Sequence, residues 1–184
     1  MKLRIHPVLV IWFGLLVITG QAGLFSLVFA SLLIHELGHL MALKLCGVKS
    51  IHCTLLPFGG RLEWQDRREW KKRDMLFVYS GGPLATSALF SLLLLMPFPI
   101  PHLVLQIQLI ILALNLLPIP PLDGGNMLRI LLKDSSVAIL LKPIYLITFC
   151  CFGLYAYNQI AFANLFPAMI WGVLALENYR TIKS

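Results

Sequence analysis

Charge is scarce in this sequence. Of its 184 residues 12% are charged and 59% are hydrophobic, with a mean hydropathy of +0.84. A soluble globular domain carries about 25% charged residues, so that class is excluded and a polytopic membrane protein is indicated. Cysteine is sparse as well: Cys46, Cys53, Cys150 and Cys151 form neither a CxxC pair nor an even framework. Neither a zinc ribbon nor a disulfide scaffold is therefore expected, and a reduced environment is. The first apolar run, residues 11–20, lacks a persuasive small-x-small cleavage site and is followed by further hydrophobic segments, so no cleavable leader is expected. Repeats, low-complexity tracts and linkers are lacking, and residues 1–184 read as a single domain. The net charge of +7 would suggest a nucleic-acid partner in a soluble protein. Here topology accounts for it, and no nucleic acid is expected.

What is present is a series of apolar segments at residues 8–20, 24–45, 75–96, 103–117, 137–157 and 160–176. Most approach the ~20 residues that span a bilayer as a helix. The predicted fold is an all-α membrane protein of six transmembrane helices, with a short membrane-associated hairpin after the second. With the N-terminus inside, Lys2, Arg4, the basic residues of the 46–74 loop, Arg129, Lys133, Arg180 and Lys183 share the cytoplasmic side. The opposite loops, near Gln21, Pro99 and Asn158, carry no Lys or Arg. This asymmetry places both termini in the cytoplasm. Within the 46–74 loop, Gly59-Gly60 lies between short runs rich in Leu, Thr and aromatics, which predicts a hairpin. The following DRREWKKRD reads as an interfacial basic helix beside anionic lipid, with Trp64 and Trp70 as anchors.

The chemistry sits in HELGH, residues 35–39. His35 and His39 are one helical turn apart and share a face, as a common tetrahedral metal requires. Glu36 on the adjoining face can take a proton from a water activated by the metal and return it to a leaving amine. An ionised side chain at the bilayer centre is disfavoured by about 2.5–3.5 kcal/mol, so Glu36 among Leu33, Ile34 and Leu37 demands a reason. The competing reading is a His–Glu hydrogen-bond network that stabilises the helix bundle.

A catalytic zinc takes a third protein ligand and keeps one position open. Asp123, in NLLPIPPLDGG (residues 115–125), is the one other acid set in apolar sequence away from the charged loops. Pro118, Pro120 and Pro121 must break the fourth span there, and irregular backbone at membrane depth is tolerated only where it is buried or lines a polar cavity. An acid that merely caps the segment from Gly124 is the alternative. Asn115 could hold the substrate or serve as interhelical glue. The hairpin residues Pro57, Phe58, Gly59 and Gly60 could hold an unwound substrate against a strand edge, or form a plain interfacial loop. His6, His52 and His102 read as polar boundary residues.

HELGH in one span, an LDG aspartate in a later broken span and LLPFGG (residues 55–60) between them resemble the site-2 protease family. The KLRIHP start, GGPL (residues 81–84) and the ENYR tail are most similar to its sporulation branch. The resemblance implies an intramembrane metalloprotease with one Zn2+ on His35, His39 and Asp123 and with Glu36 as acid/base. It implies a membrane-associated protein substrate, a sigma-factor precursor in that branch, and membrane-bound inhibitory partners in the membrane around the forespore. Branch members continue into a cytoplasmic CBS domain, and neither that nor a PDZ insertion is expected within residues 1–184. Many members carry Asn after the Gly-Pro of the third span, where this sequence has Thr86. A site-2-type protease with another substrate and an ion or metal transporter are the rival readings.

Overall fold

The computed structural model describes residues 2–5, 7–18, 20, 22–56, 59–64, 69–119 and 122–132, together with 146–148, 150, 151, 153, 154, 157 and 175. Residues 1–115 and 116–184 form two compact units. The first unit contains β1 (Lys2–Ile5), α1 (Pro7–Ile18), α2 (Ala22–Leu45), β2 (Ile51–Leu56), β3 (Gly59–Trp64), α3 (Lys72–Leu94) and α4 (His102–Asn115). In the second, α5 spans Asp123–Leu132. The fold is mostly helical, and α2 and α3 are long and apolar enough to cross a membrane. The first four predicted spans correspond to α1 to α4, whereas those at 137–157 and 160–176 fall largely outside the described residues.

The boundaries follow from local chemistry. Pro7 opens α1, where its missing N–H is no loss and its fixed φ suits a helix. Helix α2 stops at Gly47, whose φ of +81° lies in the left-handed region that favours glycine. There the Gly47 N–H donates to the Lys44 carbonyl at 2.8 Å and the Val48 N–H to Leu43 at 3.1 Å. These two bonds make a Schellman close, and Val48 and Leu43 join one apolar cluster as that motif requires.

The hairpin predicted after the second helix is present as β2 and β3, paired antiparallel from Ile51↔Trp64 to Leu56↔Gly59. It is larger than predicted, because β1 adds in parallel to the other edge of β2, from Lys2↔His52 to Ile5↔Leu55. The all-α expectation is corrected by this three-stranded sheet, ordered β1-β2-β3. The four residues of β1 alternate polar and apolar, but a run that short does not mark a strand without its partner, which hid β1 from sequence reasoning. The basic helix predicted over DRREWKKRD is also corrected. Residues 69–71 are irregular, Lys72 to Asp74 start α3, and residues 65–68 lie outside the description.

Two apolar clusters hold the first unit. Trp12, Leu16 and Phe25 pack α1 on α2, with Phe29 stacked on Phe25 at 5.7 Å. Leu40, Ala42, Leu43, Val48, Ile51 and Val78 join α2, the sheet and α3, and Trp64 and Trp70 pack against them. The two tryptophans expected as interfacial anchors thus cover this core with their rings 5.8 Å apart. Exposed Ile34, Leu37 and Met41 on α2 and Phe77 and Leu84 on α3 leave the remaining helix faces apolar, as lipid contact requires.

Between these clusters α2 and α3 cross at glycines. A Cβ on Gly38 would strike the Gly81 carbonyl and the Ala85 methyl, and one on Gly81 would strike the Gly38 carbonyl. Small residues that let backbones touch are the usual means of packing helices in lipid, where no hydrophobic drive exists between them. Gly38→Leu is expected to lower stability by about 2 kcal/mol or more through overpacking. Gly14→Ala, where the added methyl meets nothing within 4 Å, should be neutral or stabilising. Thermal unfolding of the detergent-purified protein measures both.

Candidate metal centre

Ser31, His35 and His39 recur every fourth residue and lie on the buried face of α2. His35 is 3% exposed and His39 8%. Their rings stand edge to face, with centroids 4.9 Å apart and planes at 77°. The two Nε2 atoms converge to 3.2 Å. With Zn–N bonds of about 2.0–2.1 Å, two ligands on a tetrahedral ion sit about 3.3 Å apart, so the separation matches one edge of such a site.

Helix α3 supplies the other half, and it also works at four-residue spacing. The Nδ1 of His39 is 2.8 Å from the Val78 carbonyl oxygen. A carbonyl only accepts, so Nδ1 carries the proton and Nε2 presents a lone pair. The Gly82 N–H is 3.3 Å from the same Nδ1, and the shorter carbonyl contact decides the tautomer. The Nδ1 of His35 lies 3.0 Å from the hydroxyl of Thr86, which is fully buried at 0% exposure. Pro83 has no N–H, so the helical ladder is interrupted at the very turn that faces the imidazoles.

Gly82 keeps this space clear. A Cβ there would stand 2.5 Å from His35 Nε2 and nearer still to His39 Nε2. A bound zinc needs comparable positions, about 2.0–2.1 Å from each nitrogen. The donor chemistry, the nitrogen separation and the glycine-cleared space all fit a metal ion.

Glu36 is half-buried, one position round the helix from His35. Its charge reaches the sheet: the Cys53 thiol on β2 is pushed up by burial first and by Glu36 second. The catalytic carboxylate predicted from sequence therefore belongs to the side of α2 that meets the sheet. Asn115 ends α4 with its Nδ2 donating to the Ile111 carbonyl at 2.9 Å, and it makes no hydrogen bond to either histidine. Gly59 and Gly60 start β3 opposite Leu56 and Leu55, while Pro57 and Phe58 lie outside the described residues.

In the second unit, Asp123 is 8% exposed and stands inside the first turn of α5. The helix takes its first bond from Asn126 to the Leu122 carbonyl at 3.1 Å, so Leu122 occupies the N-cap position and Asp123 the first helical position. A Cβ on Gly124 would strike the carbonyls of Leu116 and Leu117, which shows how tightly the proline-broken segment folds back.

Sequence reasoning gave no role to Val78, Ser31 and Gln108, and noted Thr86 and the GGPL motif of Gly82 only through the family resemblance. Gln108 on α4 donates to the Ser31 hydroxyl at 2.6 Å, and the Ser31 hydroxyl in turn donates to the Leu27 carbonyl at 2.9 Å. Thr86 and Gln108 carried a readable signal as polar side chains inside apolar runs. A backbone carbonyl carries none.

No protein-family model matches the chain. It is 32% identical over 192 residues to stage IV sporulation protein FB of Bacillus subtilis, covering 98% of this chain and 67% of that one. It is 30% identical over 171 residues to a zinc metalloprotease of Methanocaldococcus jannaschii, covering 83% of this chain and 50% of the relative. The chain thus spans between half and two thirds of the length of these relatives. Its fold matches the solved site-2 protease of Methanocaldococcus jannaschii with a TM-score of 0.68 at 24% identity, over 97% of this chain and 89% of the other.

Gly82→Ala is expected to fill the space between the two Nε2 atoms and to yield folded protein without bound zinc, whereas Gly23→Ala, with open space around it, retains the metal. Elemental analysis of the purified variants decides this.

Proposed function

This chain belongs to the site-2 protease family of membrane-embedded zinc metalloproteases, and on that footing we propose that it hydrolyses a peptide bond of a membrane-associated protein near the cytoplasmic leaflet. The convergent His35 and His39 Nε2 atoms, 3.2 Å apart with Gly82 clearing the space beside them, carry the reading. His35, His39 and Asp123 each offer one ligand atom and each is buried, and together they would hold one Zn2+ with a fourth position open. Bound zinc supplies a Lewis acid that polarises the scissile carbonyl and lowers the pKa of water toward about 7. Glu36 accepts the proton of the attacking water and delivers it to the departing amine. The Val78 carbonyl holds the His39 ring in its working tautomer.

A substrate helix must unwind before its backbone can be cut. The outer edge of β3 can pair with the resulting extended segment, and Pro57, Phe58, Gly59 and Gly60 at the hairpin tip would hold it there, with the Asn115 amide on the substrate carbonyl. The topology that goes with this reading has six spans and both termini in the cytoplasm, supported by the confinement of Lys and Arg to one side. The finer reading is a role in sporulation, with a sigma-factor precursor as substrate, membrane-bound inhibitory proteins as regulators and the membrane around the forespore as location. Similarity to a stage IV sporulation protein supports it. Relatives named as metalloproteases favour hydrolysis over metal transport as the use of these residues.

Glu36→Gln should retain one zinc per chain and lower cleavage of a co-expressed membrane-tethered sigma-factor precursor by about 10²–10⁴-fold, the usual worth of a general base. Gel shift of the substrate and elemental analysis of the enzyme give the two readouts. Undiminished cleavage would sink the mechanism.

A further inference from the structure

Between α2 and α4 lies a polar side chain that the proposed chemistry leaves unused. Gln108 on α4 is 1% exposed, and its Nε2 donates to the Ser31 hydroxyl at 2.6 Å. Ser31 has one hydroxyl hydrogen, and that hydrogen goes to the Leu27 carbonyl at 2.9 Å. The amide is thereby oriented: Nε2 faces Ser31, and Oε1 is a buried acceptor with no hydrogen-bond partner among the described residues. A polar atom stranded in a membrane interior costs more than one neutral bond returns, so joining two helices does not by itself account for a glutamine here.

Its place along α2 supplies a reason. Ser31, His35, His39 and Leu43 are buried at successive four-residue steps of that helix. At 1.5 Å per residue, Ser31 is about 6 Å from His35 along the axis. Leu43 is about 12 Å from His35 in the other direction, where it shares an apolar cluster with Ile51 of the sheet. The histidines are therefore bracketed by the Gln108 amide on one side and the strand layer on the other. A substrate segment unwound for cleavage has N–H groups that have lost their helical acceptors, and an amide oxygen is the acceptor they require. At about 3.3 Å per extended residue, the N–H level with Ser31 lies about two residues from the scissile bond. His35 itself is 3% exposed, so a substrate that reaches it enters between parted helices, one turn from the Ser31–Gln108 contact.

We propose that Gln108 is a substrate-binding residue whose Oε1 accepts a backbone N–H of the unwound substrate, about two residues from the scissile bond on the side away from the sheet. Ser31 holds the amide in the orientation that presents this oxygen. The proposal rests on the protease reading and deepens it.

The test uses the full chain and the co-expressed membrane-tethered sigma-factor precursor, with the cut mapped by mass spectrometry. Gln108→Met keeps the side-chain length and strands no donor, because Ser31 still bonds to Leu27. It is expected to retain zinc and wild-type thermal stability while cleavage falls about 3–10-fold, the worth of one hydrogen bond. Proline, which lacks an N–H, is then placed at each substrate position flanking the cut. At the second residue on one side, proline should slow the wild type by a similar factor more than it slows Gln108→Met, and elsewhere the two enzymes should lose alike. Equal losses at every position overturn the proposal. So does a Gln108→Met enzyme that cleaves at the wild-type rate, or one that loses stability and cleavage together, as a residue that only joins helices would. A precursor that the wild type leaves whole, or that Glu36→Gln cuts as well, overturns the protease reading beneath it.

Discussion

Helices α2 and α3 touch backbone to backbone where Gly38 meets Gly81, and nearly everything at the site follows from that approach. Side chains of ordinary size would hold the axes about 8–10 Å apart, too far for an imidazole on one helix to reach a main-chain carbonyl on the other. At the glycine crossing His39 reaches the Val78 carbonyl and His35 reaches Thr86, on the turns either side of Gly81 and Gly82. The same contact removes the side chain that would otherwise occupy the space beside both Nε2 atoms. Packing and metal-site geometry are here one constraint, imposed by a run of small residues.

The sheet extends that constraint toward the membrane surface. Ile51 on β2 joins the cluster with Leu40, Leu43 and Val78, so the hairpin is seated on the helix pair that carries the histidines. Burial first and the charge of Glu36 second raise the thiol pKa of Cys53 on the same strand. β1 occupies the far edge of β2 and leaves β3 as the outer strand on the other side. The sheet thus has two outer strands, β1 and β3.

The sequence was most legible where one residue type has few uses. His35 and His39 at helical spacing announced a shared face, and the broken run around Pro118 ended α4 at Asn115 as composition required. The helix starts and stops were read within a few residues because Pro7 and the hydropathy steps mark them. What could not be read depends on contacts between distant segments. β1 has four residues and gains its identity only from pairing with β2. Val78 acts through a carbonyl that every residue possesses. Thr86 lies 51 positions from His35, and its register relative to the histidines is fixed by the Gly38–Gly81 crossing, which no single-sequence pattern reports.

The crossing also separates folding from metal loading. In a zinc finger the metal supplies the folding energy, and the metal-free chain is disordered. Here Gly38, Ala42, Gly81 and Ala85 together with the Leu43–Val78 cluster join α2 to α3 beside the histidine contacts, and none of these residues is a proposed metal donor. The ring nitrogens of His35 and His39 have partners in Val78, Thr86 and each other. An unsatisfied polar group in a membrane interior costs several kcal/mol, enough to bias the whole helix pair toward opening. With these nitrogens partnered within the helix pair, that cost is avoided at the crossing.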